Sequence, residues 1–142
     1  MEVSDIRRHV RGAIEQARQQ AAQRRVRTSD AAREYDAFLV ERAVPMFHQF
    51  ASALVGEGHL FKVFTPAGSV RLAAERSPEE FIELALDDGA DPPEVVVRTS
   101  RGRGRRMITA ARPLRDRAAI ASLTDEDVLA SLVKEIVPFV ER

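Results

Sequence analysis

The chain has 142 residues, 22 basic against 22 acidic, and no cysteine, which excludes disulfide scaffolds, thiol nucleophiles and cysteine-zinc sites. A composition 44% hydrophobic and 31% charged is that of a folded globular chain, and this length suits one domain burying about 70% of its unfolded surface without a staple. No apolar run approaches the ~18 residues of a membrane span, and Met1-Glu2-Val3-Ser4-Asp5 is unlike a signal peptide, so a cytoplasmic protein with no membrane partner is expected.

Residues 5 to 26 read as a helix that Ser4 can cap, with Asp5 at the positive end of the dipole. Val3, Ile6, Val10, Ala13, Ala17 and Ala21 recur at spacings of three and four, the mark of a narrow apolar seam. The seam turns alanine-rich, so a neighbouring helix can approach closely. Packing on the protein's own core and zipping to a second copy are both open uses. Seven arginines between Arg7 and Arg27, against Glu2, Asp5 and Glu15, leave this segment net +4; such a face is ordinarily solvated.

Thr28-Ser29-Asp30 either ends this helix and caps the next or is passed through. The apolar stripe continues through Ala32, Tyr35, Phe38, Leu39, Met46, Phe50 and Leu54. Pro45 removes one ladder hydrogen bond inside it, which predicts a kink near residues 41 to 45. Gly56-Glu57-Gly58 ends the second helix. With residues 1–56 helical, the two helices are expected to form a kinked antiparallel hairpin.

From residue 59 the period changes to two. Phe61, Val63 and Thr65 alternate with Leu60, Lys62 and Phe64 before the turn Pro66-Ala67-Gly68. Pairing Val63 with Val70 and Phe61 with Leu72 gives one apolar face and sets Lys62 opposite Arg71. Residues 78 to 88 are ambiguous. Ser77-Pro78-Glu79-Glu80 resembles a helix start, whereas Ile82, Leu84 and Leu86 alternate with Glu83, Ala85 and Asp87 as in a strand. The strand is preferred because the turn-rich run 88–93 leads directly to the next one. That next strand, Val95 to Ser100, pairs with Arg105 to Ala111 across a tip placed at Gly102-Arg103, where a leading glycine suits a type II′ turn. Val97 then faces Ile108. After Pro113 and a linker comes a last helix over 123–142. Thr124 and Asp127 supply its start, Leu123 and Val128 a staple, and Leu129, Leu132, Val133, Ile136 and Val140 its apolar stripe. The expected fold is therefore α+β: N-terminal helices, a four- to five-strand antiparallel meander over 59–112, and a C-terminal helix, the helices covering one sheet face.

Charge is sharply segregated within the meander. Residues 75 to 94 hold eight acids and one arginine; residues 98 to 117 hold eight arginines and one aspartate. In the expected register the blocks lie on adjacent strands and Glu83 can pair with Arg98, so the central arginines read as structural. Those at the tip of hairpin 98–106, Arg101, Arg103, Arg105 and Arg106, are the candidate site for nucleic acid or phosphate. Arginine also supplies 20 of the 22 basic residues chain-wide. Codon usage in a GC-rich bacterial genome is the preferred account of that over a demand for bidentate contacts, because the arginines are scattered through several segments.

No catalytic pattern is visible. His9, His48 and His59 fall on different elements, Gly102-Arg103-Gly104 lacks the third glycine of a phosphate loop, and Asp87, Asp88 and Asp91 lack calcium-loop spacing. No metal or cofactor is expected. A non-enzymatic interaction module, self-associating as a homodimer or binding a protein partner, is the leading expectation. Nucleic-acid or phosphate binding through the arginine hairpin is the alternative, and an enzyme or small-ligand binder with no visible motif comes third.

Overall fold

The computed structural model describes residues 1–141. Its first element is a helical run from Val3 to Gly56: α1 (Val3–Phe38), a π-helical turn (Leu39–Ala43) and α2 (Val44–Gly56). The chain passes helically through Thr28-Ser29-Asp30, so no antiparallel helix hairpin forms. The irregularity falls just before Pro45 instead. The Val44 amide donates to the Leu39 carbonyl five residues back, and this wider turn relieves the clash that a proline ring makes with the carbonyl four residues before it.

The π turn also explains which residues are buried. Ala31, Tyr35 and Phe38 are buried at ordinary helical spacing, but the next buried residue is Ala43, followed by Phe47 and Ala51. An inserted residue rotates everything downstream by about 100°. Met46, Phe50 and Leu54, expected in the core, consequently lie at its border. Ala32, upstream of the turn, is also exposed, contrary to the expected stripe.

Five strands follow in a meander of order β1-β2-β3-β4-β5: β1 (Phe61–Phe64), β2 (Ser69–Ala74), β3 (Phe81–Asp87), β4 (Glu94–Arg103) and β5 (Arg106–Pro113). The alternation of residues 81–87 prevails over the helix-start signal, and Ser77 to Glu80 close a turn with the Glu80 amide on the Ser77 carbonyl at 2.8 Å. The β1–β2 register is two residues from that expected: Val63 pairs with Leu72 and Phe61 with Ala74. A two-residue shift keeps every side chain on its face. It also moves Lys62 away from Arg71, and Lys62 reaches Glu75 at 3.4 Å.

α3 (Asp125–Val140) begins with the expected capping box. Thr124 accepts from the Asp127 amide, and the Asp127 carboxylate accepts from the Thr124 amide. Its buried line is Val128, Leu132, Ile136 and Phe139, while Leu129, Val133 and Val137 face solvent. This helix is apolar around more than half its circumference, so spacing alone does not select the buried part.

The core lies between the helices and one sheet face. Phe61, Val70, Leu72, Ile82, Leu84, Val95 and Val97 meet Tyr35, Phe38, Phe47, Leu132 and Ile136 there. The opposite sheet face contributes no residue to this core cluster. It carries the cross-strand row Phe64, Arg71, Glu83, Arg98 and Ala111.

Tyr35 ties α1 to the sheet, its buried hydroxyl donating to the Gly68 carbonyl at 2.6 Å. Burial pushes its pKa up, the carboxylates of Glu83 and Asp36 push it further, and Arg98 opposes them. As the unfolded phenol titrates near 10, the unfolded state loses this proton first. Stability from this group is therefore fully present below pH ~10 and falls as pH rises above it. Tyr35 is the single tyrosine in a chain without tryptophan, so absorbance at 295 nm reports it alone. Ionisation is expected only together with unfolding. Tyr35→Phe is expected to cost about 1 kcal/mol at pH 8, and urea midpoints should show this gap narrowing by pH 11.

Candidate functional site

The β4–β5 hairpin is longer than its sequence suggests. Arg103 pairs with Arg106, and Val97 faces Arg112 rather than Ile108. The turn therefore falls at Gly104-Arg105, not at Gly102-Arg103. Gly104 has φ of 64° and Arg105 is not left-handed, which is the type II′ signature shifted along the chain by two residues. Gly102 stays inside β4, where its amide donates to a Glu80 carboxylate oxygen at 2.9 Å. A Cβ there would stand 3.0 Å from the same oxygen.

This shift leaves all four predicted site residues at the hairpin's end. Arg103, Arg105 and Arg106 are exposed and Arg101 is half-buried. None of them forms an ion pair with a described residue. Arg101, Arg103 and Arg106 share one sheet face, that of Ile108, because their register positions have the same parity. Glu79 and Glu80 line a shallow depression next to Arg105 and Arg106, so the tip is positive with an acidic flank.

The two charge blocks do not neutralise each other as expected. Glu83 does lie opposite Arg98 in the register, but its carboxylate belongs to Arg71, which reaches it through Nε at 2.9 Å and Nη2 at 2.8 Å. Arg71 also stacks over Phe81 at 3.9 Å from the ring centre, and this fixes the guanidinium for Glu83. Arg98 is exposed and forms no ion pair with a described residue, which corrects its reading as a structural cation. Arg112 and Arg115 turn instead to α3, meeting Glu135 at 3.4 Å and Asp127 at 3.0 Å. From the acidic block, Asp91 meets Arg27 at 3.4 Å.

Sequence spacing located the second surface without showing its extent. From Val3 to about Arg27, α1 stands clear of the sheet, and nearly every residue is exposed. At 1.5 Å per residue this arm is about 37 Å long. At 100° per residue, Val3, Ile6, Val10, Ala13, Ile14, Ala17 and Ala21 fall in the same arc of the helix as buried Ala31 and Tyr35. The core-facing stripe thus runs on past the end of the body. Its aliphatic members Val3, Ile6, Val10 and Ile14 are 48–72% exposed.

A groove of about 630 Å³ lies where α1, the loop 90–94 and the segment 117–120 meet. Arg27, Asp30, Glu34, Asp91, Glu94 and Arg117 line it with four carboxylates and two guanidiniums. No nucleophile–base pair converges there. Among the described residues no three His, Cys, Asp or Glu side chains cluster as metal ligands, and no helix is long and apolar enough to cross a membrane.

No family model, curated protein or solved structure matches the chain.

Proposed function

We propose that this protein is a non-enzymatic interaction module that self-associates through the projecting half of α1. The observation that carries this reading is the exposed aliphatic seam Val3, Ile6, Val10 and Ile14, in line with the stripe the same helix buries in its own body. Most helical stability in proteins comes from packing an apolar face, and this arm packs little of its face on its own body. A second copy supplies the missing apolar contacts to both arms at once. Multi-angle light scattering over a range of concentrations tests it: the mass should climb from 15.8 kDa towards twice that value. A constant monomer mass up to hundreds of micromolar would sink the proposal.

A second reading has its own observation, four tip guanidiniums that form no ion pair with a described residue. Arginines at a hairpin end that form no ion pair with a described residue suit the phosphate backbone of a nucleic acid, which binds by counterion release. The absence of an aromatic side chain among residues 98–106 argues against stacking on single-stranded bases. If all four contact phosphates, affinity for duplex DNA should fall with a log–log salt slope of about −3.6. Arg101→Ala with Arg103→Ala and Arg105→Ala should reduce that slope to about −1 and abolish retention on heparin. Retention unchanged in the triple variant would reject the tip as the contact.

A further inference from the structure

The seam has two unlike flanks. With Val3, Val10 and Ala17 at the first core position of a seven-residue repeat, Ile6 and Ala13 take the second. One flank then carries Arg7, Arg11, Arg18 and Arg25, together with Ile14 and Ala21. The other carries Glu2, Asp5, His9, Gln16, Gln19 and Gln23, with no arginine.

This asymmetry discriminates between the two ways of pairing the arm with itself. In an antiparallel pair like flanks meet, so both arginine-bearing flanks lie along one side of the pair and Arg7 has no acidic residue opposite it. In a parallel pair each arginine flank meets the neutral-to-acidic flank of the other copy, twice over by symmetry. Glu2 then lies five residues before Arg7 of the second copy, the spacing at which flanking charges pair across a parallel coiled coil. The same frame shows where the pairing stops. Gln20 takes the next second core position after Ala17 and Arg24 the next first one, and two arginines facing each other there are unfavourable. The body begins just beyond it, at the Arg27–Asp91 ion pair.

We infer that two copies of this chain pair through residues 3 to 21 as a short parallel, in-register coiled coil, with both bodies at the same end. This rests on the reading of α1 as the self-association element and adds its orientation and register. Two such seams bury on the order of 1,000 Å² in total, at the small end of specific interfaces, so the pairing is a reversible equilibrium.

The chain has no cysteine, so single cysteines report cleanly, and the positions used are all exposed in the monomer. Three full-length preparations are compared under mild oxidation. Val10→Cys is near the middle of the seam and should form a disulfide-linked dimer in either orientation. Val3→Cys should form one only in the parallel pair, because an antiparallel pair centred on Val10 puts these positions about 21 Å apart. A mixture of Val3→Cys with Ala17→Cys should give the mixed disulfide only if the pair is antiparallel. The expected result is efficient cross-linking of the first two and little mixed product. Cross-linking of Val10→Cys and of the mixture, but not of Val3→Cys, overturns the orientation and leaves self-association standing. Light scattering that shows a dimer while Val10→Cys fails to cross-link overturns pairing through this seam, and a monomer throughout overturns the underlying reading as well.

Discussion

Val10→Glu combined with Ile14→Glu is expected to make the protein monomeric at every accessible concentration while leaving the melting of its body unchanged. Both side chains are about half exposed and neither belongs to the core cluster, so the monomer loses little. In the pair, the two carboxylates at position 10 would be forced into the apolar seam and the two at position 14 against its flank, and an unpaired buried charge costs several kcal/mol. More than a hundredfold weakening follows from a loss of about 3 kcal/mol, enough to remove the dimer from the micromolar range. Sedimentation equilibrium measures the association, and circular dichroism measures both the melt and the arm. Helix content should fall as well, since the arm then lacks the packing that supplies most helical stability in proteins. A dimer of unchanged affinity would place self-association on another surface. The exposed line Leu129, Val133 and Val137 on α3 would be the next to test.

Phe47→Ala is expected to have the largest effect on stability, about 3–5 kcal/mol. Phe47 is 1% exposed and belongs to the core cluster, on a helix that packs against β1, β2 and α3. Deleting a ring there removes its transfer energy and leaves a cavity that well-packed neighbours fill only partly. At roughly 3 °C per kcal/mol for a chain of this size, the melting midpoint should drop by about 10–15 °C. Val133→Ala is the matched control: its side chain is just as apolar but 52% exposed, and its effect should stay within about 0.5 kcal/mol. Calorimetry of the two variants distinguishes the buried line of α3 and α2 from the apolar line left outside. Similar losses in both would mean that the exposed line is covered in solution.

Much of this architecture was legible from local signals. Period-two alternation over residues 81–87 gave a strand despite a competing helix start, because a strand buried on one face needs that alternation and a helix does not. Thr124 and Asp127 marked the start of α3, since their reciprocal bonds depend only on residues three apart. The tip arginines were legible as a group, yet the turn was set two residues early. Both Gly102 and Gly104 satisfy a type II′ turn, and the choice depends on Glu80, 22 residues away, receiving the Gly102 amide. The fate of Glu83 was hidden for the same reason. Its register partner Arg98 could be inferred, but Arg71 on the other neighbouring strand holds the carboxylate, aided by its stacking on Phe81.

The sequence by itself determined the order of helix, meander and helix, the faces of the strands, the segregation of charge and the seam on the first helix. All of these follow from spacing within a few residues. Only the tertiary structure decided that the first two helical segments run on as one through a π turn, that the turn rephases the buried stripe from Phe38 to Ala43, and that the arm from Val3 to Arg27 finds no cover in its own body. Periodicity fixes which side of a helix is apolar, but not how far the surface that buries it extends. Of a helical run of about 80 Å, burial begins only at Ala31, which leaves the preceding arm of about 37 Å outside the core.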